Sequence, residues 1–306
     1  MRSLLKRVLP DNTRYAVRAH VNYLRDRGLS DYVRLNALLI DAAVRERLNR
    51  ARYRVLDEAD LVRARRSDTV FVFGSGYSLN DITAAQWEHI AGHDTFGFTA
   101  FIYQRWVRTD FHLLRGGIEG GYLRWRPYAE EFSKTLNDNP CFADTIFLMQ
   151  GEYFAQFANQ LVGYRLLREG ARICRYRTAR GDGLPTRTLR EGVRHVGGTL
   201  SDAVNAAACL GWKEIVLAGV DLYDSRYFWL GPDETYGLDR ATGLLVPAKT
   251  NLRGLRHSDV HNTARNGVVV TMGQWREHLE RERGIRLLVL NPRSLLADVM
   301  PIYQIP

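Results

Sequence analysis

Residues 69–82 constrain the fold of this chain more than any other stretch. They read TVFVFGSGYSLNDI, so the apolar run Val70–Phe73 is followed at once by two glycines that flank a serine. A continuous apolar run bounded by glycines is typical of a strand that is buried on both faces of a parallel sheet. Gly74 and Gly76 permit a turn that approaches a phosphate closely, and a helix predicted over 80–91 would direct its positively polarised N-terminus towards that phosphate. The pattern predicts a nucleotide site, or, more simply, a tight turn between a strand and a helix.

Beyond Asp68, predicted strands and helices alternate along the chain. The strands are predicted at 69–73, 95–98, 110–114, 145–149, 171–175, 214–218 and 286–290, and the helices at 80–91, 119–137, 152–168, 199–210 and 268–283. This alternation predicts an α/β fold with a doubly wound, mostly parallel sheet of the Rossmann type. Ligands bind such sheets at the carboxyl ends of the strands, where Arg115 and Asp221 are predicted to lie. Thr199 is predicted to cap the helix that it begins.

The first 66 residues differ in amino-acid composition from the rest of the chain. Arginine-rich helices are predicted at 12–27 and 31–54, and the second carries an apolar stripe at helical spacing. The stripe is formed by Leu35, Leu38, Leu39, Ala42 and Ala43. We therefore expect a basic helical appendage at 1–66 and a nucleotide-binding domain at 67–306. The appendage either packs on that domain or lies along an anionic membrane surface. In the second case, the first ten residues, which are basic and contain leucines, would take part in binding the membrane.

Composition narrows the class of protein. The chain has 306 residues, is 45% hydrophobic, and contains no apolar run of the roughly 18 residues that a membrane span needs. Without a signal peptide pattern, we expect a cytoplasmic protein, either free or peripheral at the inner membrane face. The three cysteines match no metal or redox spacing, which predicts reduced thiols. The net charge is +9, but no nucleic-acid-binding motif accompanies it, so we expect no nucleic acid partner.

Two further patches carry candidate catalytic groups. Tyr223 and Tyr227 follow the predicted strand 214–218, and their hydroxyls could donate to a departing phosphate without a metal; the alternative for Tyr223 is a buried core aromatic. His257 and His261 lie four residues apart in a polar segment. A histidine there suits the role of general base, whereas a zinc pair lacks further ligands and a solvated histidine needs no function. We expect no metal site.

These segments, taken in order, resemble the family 42 glycosyltransferases, which are bacterial sialyltransferases that use CMP-activated sialic acid. Residues 74–78 (GSGYS) stand where that family has G-N-G-P-S, and LGWKEI and GVDLY at 210–215 and 219–223 are similar to its L-G-Y-K-E-I and G-I-D-F-Y segments. His257-Ser258 looks like its catalytic His-Ser, and residues 291–297 (NPRSLLA) are close to its N-S-L-L-A. The resemblance covers about residues 69–300.

The resemblance implies a GT-A-like fold and a metal-independent inverting glycosyltransferase of surface-polysaccharide synthesis. Its donor would be a CMP-linked sialic acid, another nonulosonate or Kdo, with no separate cofactor, and its acceptor a glycan or lipid-linked glycan. By position, Gly74, Gly76 and Ser78 would line the nucleotide site, and Ser75, Thr99 and Thr199 would contact the cytidine. Tyr223 and Tyr227 would bind the phosphate, and His257, with His261 as its rival, would be the base.

Two other functions fit the residues. A pterin diphosphokinase-like enzyme also opens with a glycine–serine loop, but it needs paired acidic Mg²⁺ ligands, and Asp81 stands alone near the loop here. The second is a non-catalytic nucleotide-binding protein of a glycan assembly. A homo-oligomer is compatible with either reading.

Overall fold

The computed structural model describes residues 11–115, 125–152, 155–179, 183–223, 226–230, 235–238, 245–248 and 267–305. The helices are α1 (Asp11–Asn49), α2 (Glu58–Arg63), α3 (Ala84–Ala91), α4 (Trp125–Asn137), α5 (Gln156–Gly163), α6 (Thr199–Leu210) and α7 (Val268–Arg283). The strands are β1 (Arg54–Leu56), β2 (Thr69–Phe73), β3 (Asp94–Phe98), β4 (Phe111–Leu114), β5 (Ile146–Gln150), β6 (Arg172–Tyr176), β7 (Thr178–Ala179), β8 (Val193–Arg194), β9 (Glu214–Ala218), β10 (Thr235–Leu238), β11 (Leu245–Ala248) and β12 (Arg286–Val289).

Eight strands form one sheet in the order β1-β6-β5-β4-β3-β2-β9-β12, and every neighbouring pair is parallel. The predicted α/β class, with a doubly wound parallel sheet, is confirmed. After β2 the chain moves to β3 on one side, whereas β9, on the other side of β2, leads to β12. The strand order therefore reverses between β2 and β9, and a sheet of this kind has a crevice at that point.

The sheet is buried on both faces because side chains alternate along each strand. In β2, Val70 and Val72 join the core beneath α6 and α7, which also contains Trp212. Phe71 and Phe73 join the core on the opposite face, with α3, α4 and α5. The apolar run that predicted a buried central strand thus serves both layers.

Two predicted helices begin later than expected. Residues Tyr77–Asp81 form a 3₁₀ helix, and α3 starts only after Thr83, whose side chain accepts a hydrogen bond from the Gln86 amide N–H in a capping box. This capping stops the helix short of the glycine loop, so the predicted helix N-terminus at residue 80 is wrong. The helix predicted at 152–168 is α5, which begins at Gln156 and ends at Gly163, shortly before Arg165, a residue in the left-handed region with φ 60°.

The arginine-rich segment is one helix, kinked at Gly28, that ends at Asn49. The prediction of helix to residue 54 is wrong at its end, because Arg54–Leu56 forms β1 and pairs with β6 at the edge of the sheet. The division at residue 66 stays a prediction. In the described part of the chain, no helix combines the length and the apolar character needed to cross a bilayer. All three cysteines are free, and burial raises the pKa of the Cys209 thiol to about 11.

The stripe predicted on α1 packs against α5. Leu35, Leu39 and Ala42 are buried. A Cβ added to Gly163 of α5 would come within 2.9 Å of the Glu46 backbone nitrogen, so only a residue without a side chain allows this close helix contact. The Asn49 side chain also donates to the Gly163 carbonyl oxygen at 2.9 Å. The second half of α1 is therefore held to the main domain by packing and by polar contacts.

Candidate functional site

The crevice at the strand-order reversal is lined by the glycine loop and by the loop that carries the GVDLY segment. Residues 74–78 follow β2, and residues 219–223 follow the adjacent β9. The Gly74 N–H donates to the Ala218 carbonyl at 2.9 Å, and the Gly76 N–H donates to the Gly219 carbonyl at 2.8 Å. Two segments that lie far apart in the sequence are therefore bonded backbone to backbone at the carboxyl edge of the sheet.

The glycines in the first loop are required by this contact. A Cβ on Gly74 would lie 2.4 Å from the Gly219 carbonyl oxygen, and one on Gly76 would lie 2.5 Å from Asp221 Oδ2. No side chain fits at those distances. The glycines predicted to admit a phosphate thus have a second explanation, which is the close approach of the two loops.

Asp221 joins three strand ends. It is 3% exposed and accepts hydrogen bonds from the Ser78 N–H at 2.9 Å, the Ser78 hydroxyl, and Asn291 Nδ2 at 2.9 Å. Asn291 follows β12, so one carboxylate fixes the loops after β2, β9 and β12. A buried carboxylate needs such donors, and here they give Asp221 a positioning role in the crevice.

An aromatic segment, residues 227–229, is bonded to the glycine loop through its backbone. Gly76 pairs with Tyr227 in an antiparallel bridge, and the Phe228 N–H donates to the Ser75 carbonyl at 3.2 Å. Tyr227 stacks on Trp229 with ring centroids 4.6 Å apart. Burial raises the pKa of the Tyr227 hydroxyl, so the phenol keeps its proton and can donate to an anion. Tyr223, at the end of the β9 loop, is half-buried.

Backbone strain marks the same edge. Thr99, directly after β3, has φ 49°, and Leu222, after β9, has φ 63°. Such conformations are unusual for residues other than glycine and often occur at functional sites. Behind Thr99, burial lowers the pKa of His112 to about 3, so the neutral ring donates from Nε2 to the Thr99 carbonyl at 3.2 Å.

A second polar cluster lies at the ends of β4, β5 and β6. Arg115 Nη1 donates to Asp202 Oδ1 at 2.6 Å, and both side chains are buried. The other oxygen of Asp202 bonds His195 Nδ1 at 2.6 Å, while the His195 side chain keeps 28% of its surface exposed. This is a histidine–aspartate pair anchored by an arginine. Arg115, which was predicted to bind nucleotide, is thus buried and bonded to the carboxylate of this pair.

One amide oxygen and one carboxylate oxygen in this cluster are buried with no hydrogen-bond partner in the described part of the chain. They are Gln150 Oε1 and Glu152 Oε2. The other atoms of the same side chains are used, since Gln150 Nε2 donates to Thr178 Oγ1 at 3.2 Å and Glu152 Oε1 accepts from the Thr178 N–H at 2.6 Å. Unsatisfied buried acceptors are uncommon, and a water or a ligand donor usually fills such positions.

Sequence reasoning missed His195. Its partner Asp202 is an acidic residue in the first turn of α6, where it favours the helix N-terminus, and nothing in the spacing of the two residues showed that they would meet. The signal that could have found the pair is a histidine that precedes a helix with a first-turn carboxylate. Thr199, predicted to cap α6, is instead its first residue, because Gly198 takes the capping position and offers no side chain.

A pocket of about 470 Å³ opens on the other side of the crevice, between the ends of β2, β9 and β12 and the C-terminal segment. Its polar lining includes Ser78, Asp81, Gln86, Asn291, Arg293 and Tyr303. Arg293 pairs with Asp81 across it at 2.6 Å.

The predicted bases, His257 and His261, lie outside the described residues. Among the residues that the structure describes, no group of three His, Cys, Asp or Glu side chains could hold a metal ion.

No family model matches the chain, and no curated protein matches it. Among solved structures, it is similar in fold to the sialyltransferase CST-II in complex with a trisaccharide acceptor and CMP. The identity is 16% and the TM-score 0.41, over 77% of this chain and 86% of that one. It is also similar to CstII from Campylobacter jejuni in complex with the substrate analogue CMP-3FNeuAc, at 16% identity and TM-score 0.40, over 77% of this chain and 85% of that one. At these values the likeness is distant.

Proposed function

We propose that this protein is a glycosyltransferase that moves a sialic acid or related ulosonic acid from a CMP-sugar to a glycan acceptor. The observation that carries the proposal is the meeting of the two motif-bearing loops. Residues 219–223 belong to the most specific segment of the sequence resemblance, and residues 74–78 stand in the place of the family's glycine loop. The two segments bond each other at the point of a parallel sheet where ligands bind. The glycine loop and the loop after β9 therefore lie where a nucleotide donor would bind in a sheet of this kind.

In this proposal, the nucleotide lies along the carboxyl edge, between the loop after β2 and the N-terminus of α6. Ser75, Thr99 and Thr199 face it from β2, β3 and α6. The first backbone N–H groups of α6 receive no side-chain cap, so the positive end of this helix is available to the anionic donor. Ser78 and Asp221 hold the loops in position.

The reaction needs a leaving-group stabiliser and a base. The acceptor hydroxyl oxygen bonds to the anomeric carbon of the sugar as the bond from that carbon to the phosphate oxygen breaks, and the electron pair leaves with CMP. Tyr223 and Tyr227 donate to the departing phosphate, and a histidine takes the hydroxyl proton. The resemblance assigns the proton to His257, with His261 as its rival. The pairing with Asp202 makes His195 a third candidate, because the carboxylate fixes Nδ1 as the protonated nitrogen and leaves Nε2 to accept a proton.

Metal independence is the sharpest consequence. A single phosphate with phenol donors can leave without the divalent cation that commonly neutralises a diphosphate. We expect release of CMP from CMP-sialic acid, in the presence of a glycan acceptor, to continue at an unchanged rate in EDTA. Loss of CMP release in EDTA, with recovery on adding Mg²⁺ or Mn²⁺, would contradict this mechanism.

A further inference from the structure

Helix α1 carries a second apolar face, opposite the one that packs on α5. Residues in a helix advance by about 100° each, so the buried Leu35, Leu39 and Ala42 lie on one side. On the other side lies a row at the same helical spacing, all exposed: Val33, Ala37, Ile40, Val44 and Leu48. We call this row the outer face. Its large side chains are exposed by 57%, 61%, 52% and 75% for Val33, Ile40, Val44 and Leu48.

This exposure is concentrated on one helix. Of the fourteen large apolar side chains that are exposed in the described part of the chain, eight belong to α1: four on the outer face, and Val17, Val21, Leu24 and Leu29. Single exposed apolar residues are common on soluble proteins, but a continuous row along a helix marks a contact with another apolar surface.

The charge of the residues around the outer face indicates that the surface it contacts is anionic. Residues 11–54 contain ten arginines and five acidic residues. Arg34 and Arg47 flank the outer face on its two sides, and both are exposed with no described carboxylate within salt-bridge distance. Arg45 and Arg50, by contrast, pair with Asp41 and Glu46 on the same helix. The arginines bordering the apolar row are thus those left to meet an external anion.

We propose that the outer face of α1 is a docking surface for an anionic lipid bilayer, on which the helix lies in the plane of the interface. Apolar side chains would enter the boundary of the acyl chains while the flanking guanidinium groups meet lipid phosphates. A second copy of the chain fits less well. A two-fold interface through this face would bring equivalent arginine-lined patches together, and like charges across an interface are unfavourable. The inference concerns binding alone and does not depend on the proposed reaction.

The test is sedimentation of the full-length protein with vesicles of phosphatidylcholine, with and without phosphatidylglycerol. We expect binding only to the phosphatidylglycerol vesicles, weakened by high salt. Ile40→Ser and Leu48→Ser should each weaken it by roughly tenfold, because burial of one large aliphatic side chain is worth about that factor or more. Arg34→Gln and Arg47→Gln should each weaken it about fivefold.

Val270→Ser is the matched control. Val270 is 65% exposed on α7, which packs on β12 at the opposite edge of the sheet from α1. Equal losses in Val270→Ser and Ile40→Ser, or no vesicle binding at any salt concentration, would overturn the proposal. So would a dimer in solution that Ile40→Ser converts to a monomer, since the occupant would then be a second copy. Every variant alters an exposed side chain, and CMP binding measured separately would stay unchanged even if vesicle binding fails.

Discussion

At the scale of single residues, Asp221 is the side chain on which the shape of the crevice depends. Asp221→Asn replaces one of two acceptor oxygens with an NH₂ group that faces donors, so at least one buried polar group loses its partner. We expect the free energy of unfolding to fall by about 1–3 kcal/mol in urea denaturation. Asp81→Asn is the control, because Asp81 is 56% exposed in a surface ion pair with Arg293. This substitution should lower the free energy of unfolding by at most about 1 kcal/mol. Equal effects of the two variants would remove the positioning role of Asp221.

The three histidines can be separated by their kinetics. Replacement of the histidine that takes the acceptor proton should lower kcat by a factor of roughly 10²–10⁴. CMP binding should be unchanged, and the acidic limb of the pH–rate profile should be lost. We expect this of His195→Asn if the pair with Asp202 is the catalytic one. Near-wild-type turnover in His195→Asn, with collapse in His257→Ala or His261→Ala, would return the role to the segment that resembles the family.

At the scale of elements, α1 has two apolar faces, of which one packs on α5 and the other is exposed. Substitutions of the adjacent residues Leu39 and Ile40 distinguish the contributions of the two faces to stability. Leu39→Ala opens a cavity between α1 and α5 and should lower the free energy of unfolding by about 2–5 kcal/mol. Ile40→Ala, the next residue, alters only the outer face and should change it by less than about 0.5 kcal/mol. Thermal or urea denaturation of the two variants checks this. Similar losses would show that the outer face is covered by the protein itself.

The sequence pattern correctly predicted those helices and strands whose bounds are set by residues within or next to them. The run Val70–Phe73 predicted the buried strand β2, and the predicted bounds of α6 and α7 agree with the structure, where a glycine in the left-handed region follows each helix. β1 was missed because three residues containing an arginine carry no strand pattern, and only pairing with β6 makes them a strand. The start of α3 was misplaced because the Thr83–Gln86 capping box competes with the earlier Asn80-Asp81 pair.

At the scale of the whole molecule, the sheet explains both what was predicted and what was missed in the candidate site. The loops at 74–78 and 219–223 could be assigned to one edge because all the strands of a parallel sheet place their carboxyl ends at the same edge. The pair of His195 and Asp202 could not, since it depends on how the segment before α6 returns over the ends of β4–β6. The same holds for Asp221, whose partners Ser78 and Asn291 come from two other strand ends.

Binding of cytidine monophosphate in the crevice can be measured by a thermal-shift comparison of CMP, CDP, UDP and GDP. We expect CMP, at about one hundred times its dissociation constant, to stabilise the fold by about 2.7 kcal/mol without added metal, whereas UDP and GDP at the same concentration do not. Stabilisation by UDP or GDP but not by CMP, or stabilisation by any nucleotide only when Mg²⁺ is present, would contradict it.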